Sequence, residues 1–444
     1  MGTSRNPRPL GRGGCQELMQ IRIKPEYFQH KAIDEKGRYL HWDEIKRRHP
    51  KDAEDVWLAI KMSRAMQRSS LKIGNIEFSY SVPNSLQAVM HFIDKMTAGT
   101  VGTSNFEGLT QADQSRFLLR SLVAEEAITS AQLEGAATTR KVAKEMLESE
   151  RKPRTKDEMM ILNNFHLMKE AISLKDEPLS IEVILELHRI ATYQAIENNA
   201  VSGQFRQDNE TYITDYNGET VHQPPLYQNL PSLMQEFCDF ANTNHNGEQA
   251  IFIHPVIKAI MLHFLIGCIH PFGDGNGRTA RALFYWFMLK SGYWLFEYIS
   301  ISRLLKQAPV KYARSYLYVE TDEMDITYFL YYQTEIIKRA INDLEKYIND
   351  KQNKFIAFSS AIANYIVNPK HKLNDRQIRI LQQAVKENGA IFTAKEISNK
   401  FDIAENTARA DLNGLYKLKL LGQIRNGKAI SYIAPNDLLV RLRG

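Results

Sequence analysis

Twelve consecutive residues, His270-Pro271-Phe272-Gly273-Asp274-Gly275-Asn276-Gly277-Arg278-Thr279-Ala280-Arg281, concentrate more reactive chemistry than any other stretch of this 444-residue chain. An apolar run ends at Ile269, three glycines follow, and a second apolar pattern opens at Arg278. Glycines placed just before a helix N-terminus let several backbone N–H groups point at one anion, with the helix dipole assisting. Arg278 and Arg281 are three apart, so their side chains start from one face of that helix end. Two guanidinium groups there repel each other unless an anion lies between them, and a polyphosphate fits that need. Asp274 suits a Mg²⁺ ion held between phosphates. His270 is the candidate general base, because a neutral imidazole accepts a proton near pH 7.

A Gly-rich connector with a capping Asp would explain any one of these features, but not a base, a metal ligand, an anion nest and two arginines together. A P-loop is excluded, since no Lys-Ser/Thr pair follows the glycines. A zinc set built from His254, His263 and His270 is the weaker reading at spacings of nine and seven. His254 and His263 read as satisfied helix residues.

The elements that must hold this segment are mostly helical. Helices are expected at Ala53–Met66, Ser85–Met96, Asp157–Ala171, Ser180–Ile196 (Ser180 as N-cap), Leu230–Asn242, Pro255–Ile269, Arg278–Ser291 and Ile326–Asn349. Another runs from Gln111 to Gly135 through Phe117, Leu118, Leu122, Ile128 and Leu133. Tyr39–Trp42 reads as strand and Glu148–Lys156 as loop. Between Gly203 and Pro225 short strand-like pieces flank Asn217-Gly218, a strong hairpin signal in a helical neighbourhood. At the C-terminal end, Asp375–Glu387, a helix from Thr393 and Glu405–Leu418 precede two short strands around Asn426-Gly427. That order predicts a winged helix-turn-helix.

Composition narrows the class. Hydrophobic residues make up 43% and charged residues 24% of the chain, which excludes global disorder and a disulfide-dense scaffold. The three cysteines, Cys15, Cys238 and Cys268, form no CxxC pair, so a reducing, cytoplasmic setting is expected. The basic, Gly/Pro-rich N-terminus is not a secretory signal, and Asn6 departs from the myristoylation pattern. Ile251–Ile269 has too many polar interruptions for a membrane helix. No membrane partner is expected.

The segment resembles the Fic-domain signature HPFxDGNGRxxR at every fixed position, and the likeness runs over roughly Leu86 to Asn349. It implies a mainly α fold: a Fic-type helical bundle with a β-hairpin flap, joined to a small N-terminal accessory domain and a C-terminal winged helix-turn-helix. Residues 1–97 would be tail and accessory region, 98–350 the catalytic domain, and 373–435 the winged helix. The resemblance implies transfer of AMP from ATP to a target hydroxyl. His270 would deprotonate a Ser, Thr or Tyr, and the alkoxide would attack the α-phosphate, with Mg²⁺ and pyrophosphate leaving together. Asp274 would hold the metal, while Gly275, Asn276 and Gly277 would cradle the phosphates. Arg278 would contact the phosphate chain and Arg281 the γ-phosphate; Phe272 would pin the loop. Related death-on-curing kinases carry Lys where this chain has Gly277, so Gly277 favours nucleotidyl transfer. Gly203-Gln204-Phe205-Arg206 resembles the family's GxxR element. The hairpin ending at His222-Gln223-Pro224-Pro225 resembles its flap, with Thr220, Val221 and His222 lining the nucleotide and a docked target protein. Tyr312 would lie beside the adenine.

Ser130-Ala-Gln-Leu-Glu134-Gly135 resembles the family's [ST]xxxE[GN] inhibitory motif, on a helix of about residues 117–135. Ser130 and Glu134 are an i, i+4 pair, with Gly135 as C-cap. Glu134 would take the Arg281 fork needed by the γ-phosphate. Two alternatives stay open: a deAMPylase using Glu134, and an ATP-sensing winged-helix regulator with little turnover. Residues Leu373 to Pro435 hold ten Lys/Arg against six Asp/Glu, so four of the chain's net +6 lie there. Asn406, Thr407, Arg409 and Asn413 would face a groove, with Arg425 and Lys428 beside the wing and Glu405 and Asp411 diluting the basic face. DNA and a protein partner both remain open there, as does a homodimer of the chain.

Overall fold

The computed structural model describes residues 29–97, 123–367, 372–386, 389–426 and 429–442, apart from 197, 199, 211–212, 215–219 and 249. Readings that fall on Cys15, Phe117, Leu118, Leu122, the Asn217-Gly218 turn and Lys428 lie outside these residues. The chain divides into two compact units, Met1–Asn342 and Asp343–Gly444.

The first unit is built around the Pro255–Ile269 helix. Nearly every side chain it carries is buried, from Val256 to Ile269. A helix that is apolar all round belongs in the middle of a core. Pro255 stands at its first turn, where a missing N–H costs nothing, and the His254 Nδ1 atom accepts from the Val256 N–H at 3.3 Å. The Asn276–Lys290 helix packs against it and is itself buried from Ala280 to Leu289. Fully buried Phe284, Leu283 and Leu265 each contribute about 2 kcal/mol of apolar burial. The Lys156–Ser173 and Ile181–Thr192 helices cover the other side of Asn276–Lys290. Ser180 caps the latter through the Val183 N–H, as its sequence position predicts.

Within residues 29–97, two features differ from the expected elements. Tyr39–Trp42 is not a strand: Trp42 opens a short helix to Arg48, with the His41 ring accepting from the Asp43 N–H. A hairpin, Ser69–Ile73 paired with Ile76–Tyr80, was not expected. Its turn is Gly74-Asn75, and Gly74 has φ +57°, so the Gly-Asn signal was present between two apolar runs. The segment expected as an accessory region sits within the first unit. Lys61 Nζ pairs with Asp322 Oδ1 at 2.7 Å, the Arg64 guanidinium donates to the Tyr328 hydroxyl at 2.6 Å, and the Tyr39 hydroxyl donates to Asp325 at 2.6 Å.

The Thr327–Val367 helix extends beyond Asn349, and its residues Phe358, Ala361, Ile362 and Tyr365, which keep helical spacing, belong to the core of the second unit. That core continues through the Asp375–Lys386, Ala394–Phe401 and Glu405–Lys417 helices. A three-stranded antiparallel sheet joins them, with Ala429–Ile433 between Ile391–Phe392 and Gly422–Asn426. Thr393 and Glu396 form a reciprocal capping box. Among the described residues no helix is long and apolar enough to cross a membrane.

Candidate active site

The site forms where the Pro255–Ile269 helix stops and the Asn276–Lys290 helix starts. His270 ends the first helix in the left-handed region (φ +48°), its N–H donating to the Ile266 carbonyl at 2.9 Å. The ring's Nδ1 lies 3.3 Å from the Gly267 carbonyl oxygen. A carbonyl only accepts, so Nδ1 carries the proton and Nε2 keeps its lone pair. Burial pushes the His270 pKa down, and His222 and Arg206 push the same way. The Gly267 carbonyl and Glu134 oppose them.

The loop between the helices is closed on itself. The Phe272 N–H donates to Asn276 Oδ1 at 3.0 Å, and Asn276 Nδ2 donates to the Phe272 carbonyl at 2.7 Å. The Asn276 side chain thus clips the loop and leaves its backbone to the nest. Phe272 is fully buried and stacks on the His188 ring at 3.7 Å and 2°. Gly275 takes φ +83°, and no side chain caps the helix that follows, so its first N–H groups stay available to an anion.

His188 had no functional assignment from sequence. Its Nε2 lies 2.8 Å from the Asp274 carbonyl oxygen, and its Nδ1 accepts from the Gly203 N–H at 3.0 Å. Burial pushes its pKa down to about 4, so it is neutral and joins two distant segments through both ring nitrogens. Gly203 has φ +73° there. Arg206 completes the tie. Its N–H donates to Pro271 and its Nε to His270, both at carbonyl oxygens, and its other nitrogens reach the Asp208 and Pro225 carbonyls. The GxxR segment therefore holds the loop and the end of the hairpin together.

The two arginines diverge. Arg278 donates from Nη1 to the Ala191 carbonyl at 2.7 Å and from Nη2 to Asp274 Oδ1 at 2.9 Å. It braces Asp274 and the C-terminal end of the Ile181–Thr192 helix, instead of projecting beside Arg281. Arg281 donates from Nε to Ser130 Oγ at 2.9 Å and from Nη2 to Glu134 Oε1 at 2.9 Å. Its side chain is only 1% exposed, whereas that of Glu134 is 29% exposed. Burial alone would lower the Arg281 pKa, but Glu134, Tyr312 and Glu126 hold it raised. Ser130 and Glu134 lie at the end of the helix over residues 123–133, where Gly135 takes φ +104°. The Glu134 carboxylate rests directly over Gly277: a β-carbon there would collide with it and with Arg281.

Asp274 Oδ2 is buried without a hydrogen-bond partner. Among the described residues no cluster of three or more His, Cys, Asp or Glu side chains stands ready to hold a metal. The hairpin pairs Ile213–Thr214 with Thr220–His222. The side chains of Thr220 and Val221 lie outside the described residues. The His222 ring turns to the Cys268 carbonyl and to Glu320. The Tyr312 hydroxyl meets His263 Nε2 at 2.8 Å, close to Arg281.

Residues 178–288 match the family model described as the Fic/DOC family. A 137-residue stretch is 36% identical to the Protein adenylyltransferase Fic of Drosophila virilis and 35% identical to that of Drosophila melanogaster. The stretch is 30% of this chain, and about a quarter of the length of those relatives: 24% and 23% respectively. A Fic family protein from Desulfovibrio desulfuricans G20 shares the fold at a TM-score of 0.53 and 16% identity, over 80% of this chain and 98% of that one. With the loop and its GxxR tie in place, residues 178–288 form a Fic-type domain.

Proposed function

We propose that this chain is an auto-inhibited protein adenylyltransferase that moves AMP from ATP to a hydroxyl of a target protein. The observation that carries this reading is the pairing of an unprotonated His270 Nε2 with a helix N-terminus that is overlaid by Glu134. Nε2 takes the proton of the target Ser, Thr or Tyr hydroxyl. The hydroxyl oxygen bonds to the α-phosphorus, the bond from that phosphorus to the bridging oxygen breaks, and pyrophosphate departs. The backbone N–H groups of Gly275, Asn276 and Gly277 and the helix dipole stabilise the charge that develops on the phosphates.

The orphaned Asp274 Oδ2 suits a Mg²⁺ ion that takes its remaining ligands from phosphates and water. Such an ion, when bound, supplies positive charge to the departing pyrophosphate. Arg278 acts by fixing Asp274. Arg281 is the γ-phosphate ligand, and Glu134 withholds it, since one guanidinium edge cannot serve two anions. The hairpin backbone holds the target segment as an added strand. Incubation of the chain with α-labelled ATP, Mg²⁺ and cell lysate tests the proposal. Transfer of label to protein by the Glu134→Gly chain, absent in His270→Ala, supports it; absence of label in both sinks it.

A second role is favoured for the C-terminal unit by the placement of its acids. Asp411 is buried, accepting from Arg376 and Asn374, so it does not dilute the outer face. Glu405 is paired with Arg409, and Asn413 accepts from the Tyr432 hydroxyl. Asn406, Thr407 and Arg409 on the Glu405–Lys417 helix, with Arg425 on the neighbouring strand, remain exposed. We infer that this unit is a winged helix that docks duplex DNA.

A further inference from the structure

His222 is the last residue of the second hairpin strand, and both of its ring nitrogens face acceptors. Nε2 lies 2.7 Å from the Cys268 carbonyl oxygen, and Nδ1 lies 3.0 Å from Glu320 Oε1. A neutral imidazole has one N–H and one lone pair, so one of these contacts would set a lone pair against an oxygen. With Glu320 as a carboxylate, only the doubly protonated ring satisfies both. The side chains are largely withdrawn from water, 13% and 16% exposed. Burial alone would push the His222 pKa down, but the Glu320 carboxylate and the Cys268 carbonyl leave it raised.

This cation is anchored to residue 268, two positions before His270. The groups that face His270 are His222 from the hairpin, Arg206 from the GxxR segment and Glu134 from the inhibitory helix. Those facing His222 are Glu320 and His270; the Cys268 thiol interacts with Glu320, and burial pushes it up to about 12 and so keeps it protonated. Glu320 is on the Pro309–Thr321 helix, so three separate segments meet at one ring.

We propose that His222, held as an imidazolium by Glu320, is a positioning residue of the reaction: it latches the hairpin to the end of the Pro255–Ile269 helix and biases His270 toward its neutral, proton-accepting form. The inference rests on the reading of His270 as general base. The cation makes a second positive charge on His270 unfavourable. The latch gives the hairpin strand a fixed point beside the reacting hydroxyl. Glu320 orients the pair so that its positive end lies toward the base.

The test is nitrogen NMR on the full chain with ¹⁵N-labelled histidine, the His222 signals being identified by their loss in His222→Gln. Both ring nitrogens of His222 are expected to stay protonated at pH values above the ordinary histidine range. Glu320→Gln keeps an acceptor at Nδ1 but removes the charge. In that variant His222 becomes neutral at those pH values, and His270 titrates roughly half a unit to one unit higher. In the Glu134→Gly background the acid limb of AMP transfer moves by the same interval. Below the lowered His270 pKa the rate then falls by up to about threefold to tenfold, while near pH 8 the two rates agree. A neutral His222 in the unmodified chain overturns the proposal, and so does an unmoved His270 titration in Glu320→Gln. The imidazole titrations read out without turnover, so a chain that transfers no AMP refutes the adenylyltransferase reading and still decides this one.

Discussion

His270 is held in a backbone region that costs a non-glycine residue on the order of 1 kcal/mol, and its N–H bond to Ile266 offsets that strain. The contact of Nδ1 with Gly267 then presents Nε2 to the site. Replacing the ring with Ala is therefore expected to lower AMP transfer by roughly 10²–10⁴-fold while the chain still folds, as judged by circular dichroism and the labelled-ATP assay. Glu134→Gly should raise transfer by more than about tenfold, because freeing Arg281 restores a charge-assisted phosphate contact of at least 1.5 kcal/mol or so. The activated chain should keep its rate at pH values below the ordinary histidine range. Burial lowers the His270 pKa, so the neutral base persists as pH falls through 6.5 and is lost only once pH passes its lowered value. A rate profile that falls off at or above pH 6.5 would count against that environment.

The loop acts as an element in its own right. Asn276 closes it through two hydrogen bonds to Phe272, and the His188–Phe272 stack roofs that clip. Asn276→Ala is expected to cost about 1–3 kcal/mol, visible as a drop of a few degrees in the melting temperature, and to reduce transfer in the Glu134→Gly background. Helix ends were readable because their signals are local. Ser180, Pro255 and the apolar run to Ile269 mark boundaries that the structure keeps. The HPFxDGNGRxxR string likewise located the loop. What sequence did not show is how its side chains divide their partners. Arg278 and Arg281 share a helical face, yet one reaches Ala191 and the other Ser130, through contacts that the chain makes only when folded. His188 lies 86 residues from the carbonyl it binds, and no spacing rule connects them. Tyr39–Trp42 misled because β-prone residues also suit an N-cap when a His side chain turns back on the backbone.

At the scale of the whole molecule, buried neutral histidines make stability depend on pH. Burial pushes His41 and His188 down to about 4 and His263 to about 3. The unfolded chain therefore binds more protons than the folded one below about pH 6.5, and stability falls as pH drops from there toward 4. His41 and His188 each stand to lose on the order of 3 kcal/mol across that window. Thermal melts at pH 7.5, 6 and 5 should show a steadily falling midpoint; a flat series would contradict the buried, neutral assignment. For the C-terminal unit, anisotropy of a labelled duplex should report binding by the full chain that weakens steeply between low and physiological salt. Arg409→Ala should reduce the affinity severalfold.

The carboxylate lying over Gly277 is in effect a ligand that the protein carries on its own backbone. It occupies one guanidinium edge of Arg281, where a terminal phosphate would bind. Obstruction of that kind is graded by phosphate count: a nucleoside diphosphate has nothing to displace, whereas a triphosphate must compete with a group whose local concentration never dilutes. Calorimetry should accordingly find ADP indifferent to Glu134→Gly and ATP strongly favoured by it. The chain would be held silent against its substrate while staying receptive to the diphosphate.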